Sequence, residues 1–112
     1  CLGDLGSALT RNEIWRADLP EPAGHRSVLL LSRTEAYAVR RKVVVAEVTT
    51  TVRGTPTEVV VGRAEGLSRR SLVNLENLAT IPKDWLIERA GVLGRSRIEQ
   101  VDDALRFALD LR

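Results

Sequence analysis

At 112 residues, with 44% hydrophobic and 29% charged side chains, the chain has the size and composition of one globular domain, and no apolar run approaches bilayer length. Its one cysteine, Cys1, excludes an internal disulfide and suits a reducing, cytoplasmic setting, while its one histidine, His25, excludes the common zinc constellations. A net charge of +2 is compatible with a polyanionic partner without demanding one.

Residues 1–9 lack the basic-then-apolar pattern of a secretion signal and are set aside as a trimmed start or expression remnant; residues 10–112 are read as a single domain. In 13–19, Ile14, Arg16 and Asp18 alternate against Trp15, Ala17 and Leu19, the period of a strand. Pro20, Pro22 and Gly24 make the following turn. Residues 27–32, SVLLLS, are apolar on both faces and read as a strand covered on both sides. Residues 33–41 break the pattern with a helical turn, and the β-branched run 42–51, KVVVAEVTTT, is a long strand.

A loop at 52–56 carries Arg53, Gly54 and Pro56. A short strand follows at 57–62, then a charged connector at 63–71. Residues 72–81 suit a strand by their Val, Thr and Ile content, although the leucines keep a helix open. Pro82 opens a turn, and 86–93 reads as a last strand. Ser96 with Glu99 three residues later has the spacing of a capping box. It precedes an apolar stripe at Ile98, Val101, Leu105, Ala108 and Leu109, which predicts a helix over 97–110. The expected fold is therefore mostly β: a small antiparallel barrel, closed or half-closed, with a C-terminal helix against one side.

No G-x-S-x-G nucleophile elbow, Walker-type loop or dinucleotide fingerprint occurs, so an enzyme built on this chain lacks these common cofactor motifs. All 17 basic residues except Lys42 and Lys83 are arginine, whose planar fork suits phosphate, although a GC-rich genome produces the same bias.

The stretches NEIWRADLPEPAG (12–24), HRSVLLLS (25–32), VVVAEVTTTVRGTPTEVVV (43–61) and GLSRRSLVNLENLATI (66–81), followed by the helix-bearing end 86–111, together resemble the MazF/PemK family of toxin endoribonucleases. The resemblance implies an SH3-like, CcdB/PemK-type barrel acting as a homodimer. It implies metal-independent, sequence-selective cleavage of single-stranded RNA without a cofactor, and a MazE-like antitoxin with an acidic, disordered tail. Arg26 and Thr49 match the family's catalytic arginine and threonine. Several positions depart from the pattern. Ser27 replaces the proline that usually follows the arginine, the loop before His25 is short, and Asn74 and Glu76 stand where one branch has Arg and Asp. A non-enzymatic CcdB-like toxin is the alternative, but the chain's end, FALDLR, lacks that branch's tryptophan. An inactive interaction module on the same fold is a further alternative.

In this chemistry the ribose 2′-OH attacks phosphorus. Arg26 suits stabilisation of the phosphorus oxygens but not proton abstraction. Thr49 is a hydrogen-bonding candidate that a β-strand would favour on structural grounds alone. Strand parity sets Glu47 and Thr49 on one face, with an Arg26–Glu47 ion pair expected, and directs His25 away from Arg26. His25 is the candidate for proton transfer, and equally an incidental loop-end residue. Arg16, Thr50 and Arg53 are candidate RNA contacts. Trp15 reads as core rather than a stacking surface, Trp85 as a packing or dimer contact, and Arg69-Arg70 as either a solvated turn or a binding patch.

Overall fold

The computed structural model describes residues 9–21, 24–50 and 54–111. Six strands form one antiparallel sheet: β1 (Glu13–Asp18), β2 (His25–Leu30), β3 (Lys42–Thr49), β4 (Glu58–Val61), β5 (Ser71–Pro82) and β6 (Leu86–Val92). Their order across the sheet is β4-β5-β3-β2-β1-β6, and the helix α1 (Arg95–Leu109) follows. Short 3-10 turns occupy Thr34–Ala38, Arg63–Glu65 and Lys83–Trp85. The ambiguous stretch at 72–81 is thus strand throughout, because β5 must serve two neighbours, β3 and β4. Among the described residues no helix is long and apolar enough to cross a membrane.

Alternation along the strands divides the interior into two cores on opposite sides of the sheet. Ile14, Leu29, Ala46, Val48, Val73 and Leu75 face one way and pack beneath Val101 and Ala104 of α1. Trp15, Ala17, Val28, Leu30, Val43 and Val45 face the other way and gather Leu9, Tyr37, Ile81 and Leu86. Leu9, set aside on sequence, is 1% exposed within this second core. Trp15 is core as expected, its indole N–H donating to Glu13 Oε1 at 3.0 Å, and Trp85 packs partly buried beside it. Glu13 is itself buried; it also accepts the Thr10 N–H at 3.0 Å and pairs through Oε2 with Arg89 at 3.1 Å.

The helix does not start as the sequence suggested. Gly94 is the N-cap and has no side-chain cap bond; its carbonyl accepts the Ile98 N–H at 3.0 Å. Ser96 therefore already lies inside the helix, where its hydroxyl cannot cap. The capping-box spacing to Glu99 fails because Leu93, bonded to the Asn12 carbonyl, brings β6 to the helix two residues earlier.

The barrel is half-closed. The edge strands β4 and β6 do not pair; instead the connector after β4 touches β6 backbone to backbone. A Cβ built on Gly91 would lie 1.8 Å from the Glu65 carbonyl oxygen, and one on Gly66 would lie 2.1 Å from that of Ala90. Gly66 is also left-handed at φ +91°, so glycine is needed there twice over. This clasp hides part of two strand edges.

Candidate active site

The second core fills only one end of its face of the sheet. Beyond it, the same face continues along β3 from Val43 and Val45 to Glu47 and Thr49, and along β2 from Leu30 and Val28 back to Arg26. The β2–β3 register pairs Ser27 with Val48, so one step further Arg26 stands beside Thr49. Thr49 in turn is registered to Leu72 of β5. The two residues expected to work together are therefore neighbours on one uncovered face.

They line a cavity of about 260 Å³ at the open strand ends. Ser27, Val48 and Thr50 complete its β2–β3 wall, and Leu67, Ser68 and Arg69 from the clasped connector, with Ser71 at the start of β5, close the other side. His25 lines it too. Parity does turn His25 to the opposite face from Arg26, opposite Asp18, but both sit at the last rungs of β2, where the two faces open on one space. The imidazole Nε2 lies 3.5 Å from Asp18 Oδ1, with both side chains exposed. Ser27 brings a hydroxyl to the cavity where the family pattern has proline.

Among the described residues lining this cavity none is acidic, whereas Arg26 and Arg69 bring guanidinium groups and Ser27, Thr49, Thr50, Ser68 and Ser71 bring hydroxyls. Such a set suits an anion: guanidinium groups and O–H donors line one space, and none of its lining residues is a carboxylate. The model of the PemK-like, MazF-like toxins of type II toxin–antitoxin systems matches residues 10–109. The chain belongs to this family. A probable endoribonuclease MazF5 of Mycobacterium tuberculosis is 37% identical over 101 residues, which span 89% of this chain and 92% of that protein. The structure of the Mycobacterium tuberculosis toxin MazF-mt6 superposes with a TM-score of 0.82 at 37% identity, covering 89% of this chain and 98% of that one. A mycobacterial endoribonuclease in complex with its cognate antitoxin gives 0.83 at 30% identity, with coverages of 94% and 98%.

In this MazF-like toxin two expected contacts fall differently, and a third lies on residues outside those described. The salt bridges of the described residues do not include Arg26–Glu47. The register opposes Glu47 to Val28, and Glu47 Oε2 accepts the Asn77 amide at 3.4 Å. Asn77 reaches it because β5 carries extra residues there: Ala46 pairs with Leu78 but Val48 with Val73. Arg16 is ion-paired with Glu88 across β1 and β6 and does not line the cavity. Arg53 lies outside the described residues. Thr50 is exposed at the rim of the cavity. The connector residues Leu67 and Ser68 were missed; the signal for them was Gly66 ahead of an Arg pair, a turn built to bring cations back to the sheet.

Proposed function

We propose that this chain is a toxin endoribonuclease that cleaves single-stranded RNA by internal attack of the ribose 2′-OH. The observation that carries the reading is the acid-free cavity in which Arg26 and Thr49 stand side by side. Arg26 holds the scissile phosphate and offsets the charge that builds on its oxygens as the 2′-oxygen bonds to phosphorus. Thr49 orients the same group through its hydroxyl. His25 is placed to carry a proton to or from the reacting oxygens, an imidazole being suited to that exchange near neutral pH. Arg69 adds a second cation along the RNA backbone. Bond breaking then releases a 5′-hydroxyl and leaves a 2′,3′-cyclic phosphate, with no metal taking part.

By analogy with the relative solved in complex with its cognate antitoxin, the chain acts in a toxin–antitoxin pair, and its single cysteine suits the cytoplasm as its setting. An acidic antitoxin segment would compete with RNA for the same cations, and two copies of the chain form the working toxin. The test is incubation of the purified protein with mixed-sequence RNA, with and without EDTA. Cuts ending in 2′,3′-cyclic phosphate, undiminished by EDTA and lost in Arg26→Ala, are expected. Intact RNA, or cleavage equal in Arg26→Ala, would sink the reading.

A further inference from the structure

The connection between β2 and β3 has no part in the cavity that holds Arg26 and Thr49, yet it is crowded with positive charge. Arg40, Arg41 and Lys42 are consecutive and exposed, and Arg33 is exposed at the other end of the same segment. Arg11, Arg16, Arg89, Arg97 and Arg106 each face a carboxylate. Among the described residues, Arg33, Arg40, Arg41 and Lys42 have no such partner.

The segment is fixed to the fold. Tyr37, fully buried in the second core, anchors the 3-10 turn Thr34–Ala38. The Arg40 N–H donates to the Ala36 carbonyl at 2.9 Å, and the Arg41 carbonyl accepts the Lys83 N–H at 2.7 Å. Lys83 Nζ donates to the Tyr37 carbonyl at 2.6 Å, which draws a fifth cation into the group. The carboxylates on these two stretches of chain are Glu35 and Asp84, both exposed. Asp102, the nearest acid of α1 through its partner Arg11, is occupied by that arginine, whose backbone N–H bonds Thr34. Like charges held this close repel one another, and a polyanion laid across them removes that cost. Val39, 80% exposed in their midst, offers methyl groups to a ribose or base face.

The position of the group singles out its partner. Lys42 opens β3 and Thr49 closes it, so seven rises of about 3.4 Å, about 24 Å in all, separate the cationic segment from the candidate site. Stacked nucleotides rise by about 3.4 Å as well, so the same span is about seven nucleotides of RNA. A strand gripped at its scissile phosphate necessarily continues past the cavity, and cation-lined tracks are how proteins hold such a strand without reading its bases. Arginine forks suit its phosphates. We propose that Arg33, Arg40, Arg41 and Lys42 form a second RNA contact, which holds the backbone of the substrate strand about seven nucleotides from the cut.

This rests on the cleavage reading above, and the experiment separates the two. Two RNAs carry the sequence that the unaltered protein cuts: a tetranucleotide with two residues on either side of the cut, and a 20-mer with the cut at its centre. Single-turnover cleavage of both is measured. Binding is measured over a range of salt concentrations, with the cleaved ribose blocked by a 2′-O-methyl group. The unaltered protein is compared with the triple variant Arg40→Gln, Arg41→Gln, Lys42→Gln and with the charge-keeping double variant Arg40→Lys, Arg41→Lys. A poly-glutamate peptide is the control polyanion.

Each phosphate contact on a single strand contributes about 0.7 to the slope of log affinity against log salt. The triple variant should therefore lower that slope by about 2 for the 20-mer, and lower its affinity at least about tenfold at 0.1 M salt. The double variant should keep the slope. Binding and cleavage of the tetranucleotide, which is too short to reach the segment, should be the same for all three proteins, and so should their thermal melts. A slope for the 20-mer unchanged in the triple variant, or an equal loss on the tetranucleotide, overturns the inference and leaves the cleavage reading intact. Loss of poly-glutamate binding with RNA binding unchanged overturns it too, in favour of an acidic protein partner. No cleavage of any RNA by the unaltered protein overturns both.

Discussion

Alanine at Gly91 tests whether the half-closed barrel depends on its backbone clasp. The added Cβ would sit 1.8 Å from the Glu65 carbonyl oxygen, 2.6 Å from its carbon and 3.0 Å from the Gly66 Cα. Restoring ordinary contact at about 3.4 Å means parting the two backbones by roughly 1.6 Å, beyond what rotamer adjustment absorbs. Gly91 is registered to Ile14 of β1, whose side chain is fully buried, so the β6 side is the harder one to move. The connector should yield instead, carrying Leu67, Ser68 and Arg69 away from Thr49. Overpacking of this kind costs about 1–3 kcal/mol. For a chain of this length that lowers Tm by about 4–8 °C per kcal/mol. A domain with the usual 5–15 kcal/mol in reserve stays folded at 25 °C. A fall in RNA cleavage at that temperature, out of proportion to the unfolded fraction, would therefore report the displaced connector. Thermal melts and single-turnover cleavage, with Gly94→Ala as control, are the assays. Gly94 has no atom within 4 Å of its built Cβ, so that change costs only the N-cap preference, about 0.5–1 kcal/mol. If Gly91→Ala melts and cleaves like the control, the clasp does not hold the site.

Arg26→Ala should lower cleavage about 100-fold or more while shifting Tm little, since the residue is exposed at a strand end; Arg26→Lys, which keeps the charge but not the fork, should recover only part of the rate. Burial pushes the Tyr37 hydroxyl up from 10.0 to about 12. The unfolded chain then loses this proton near pH 10 while the folded one keeps it, so stability should fall between pH 10 and 12 by about 2–3 kcal/mol, and Tyr37→Phe should abolish that loss in alkaline urea titrations. Glu13→Ala strands the Thr10 N–H and the Trp15 indole N–H inside the second core and should cost about 2–4 kcal/mol in chemical denaturation, whereas Arg89→Ala, on an exposed partner, should cost under about 1 kcal/mol.

Much of the architecture was legible because single-strand patterns carry it. The run Val43–Val45 and the alternation around Trp15 specify strands and their buried sides without any knowledge of neighbours. Parity alone also set Arg26 apart from His25. What could not be read was anything that depends on register between strands. The Arg26–Glu47 pair failed because the extra residues in β5 bring Asn77 to Glu47, and no local pattern announces how many residues oppose one another across a ladder. The capping-box reading failed more simply, since the helix takes its first turn from where β6 ends rather than from Ser96.

Why the site lies where it does follows from how the sheet is covered. One face is covered by α1 across the first core, and the other only as far as the second core extends. Along β3 the side chains of that second face change from Val43 and Val45 to Glu47 and Thr49, so the apolar cover stops where the hydroxyls begin. A face is left open on the sheet, where strand register sets Arg26 beside Thr49 and the connector supplies the opposite wall. The sheet's edges, which would invite pairing with other chains, are partly hidden by the Gly66–Gly91 clasp. The connector of that same clasp carries Ser68 and Arg69 to the far wall of the cavity. A change that loosens the clasp should therefore disturb the far wall of the cavity before the protein unfolds.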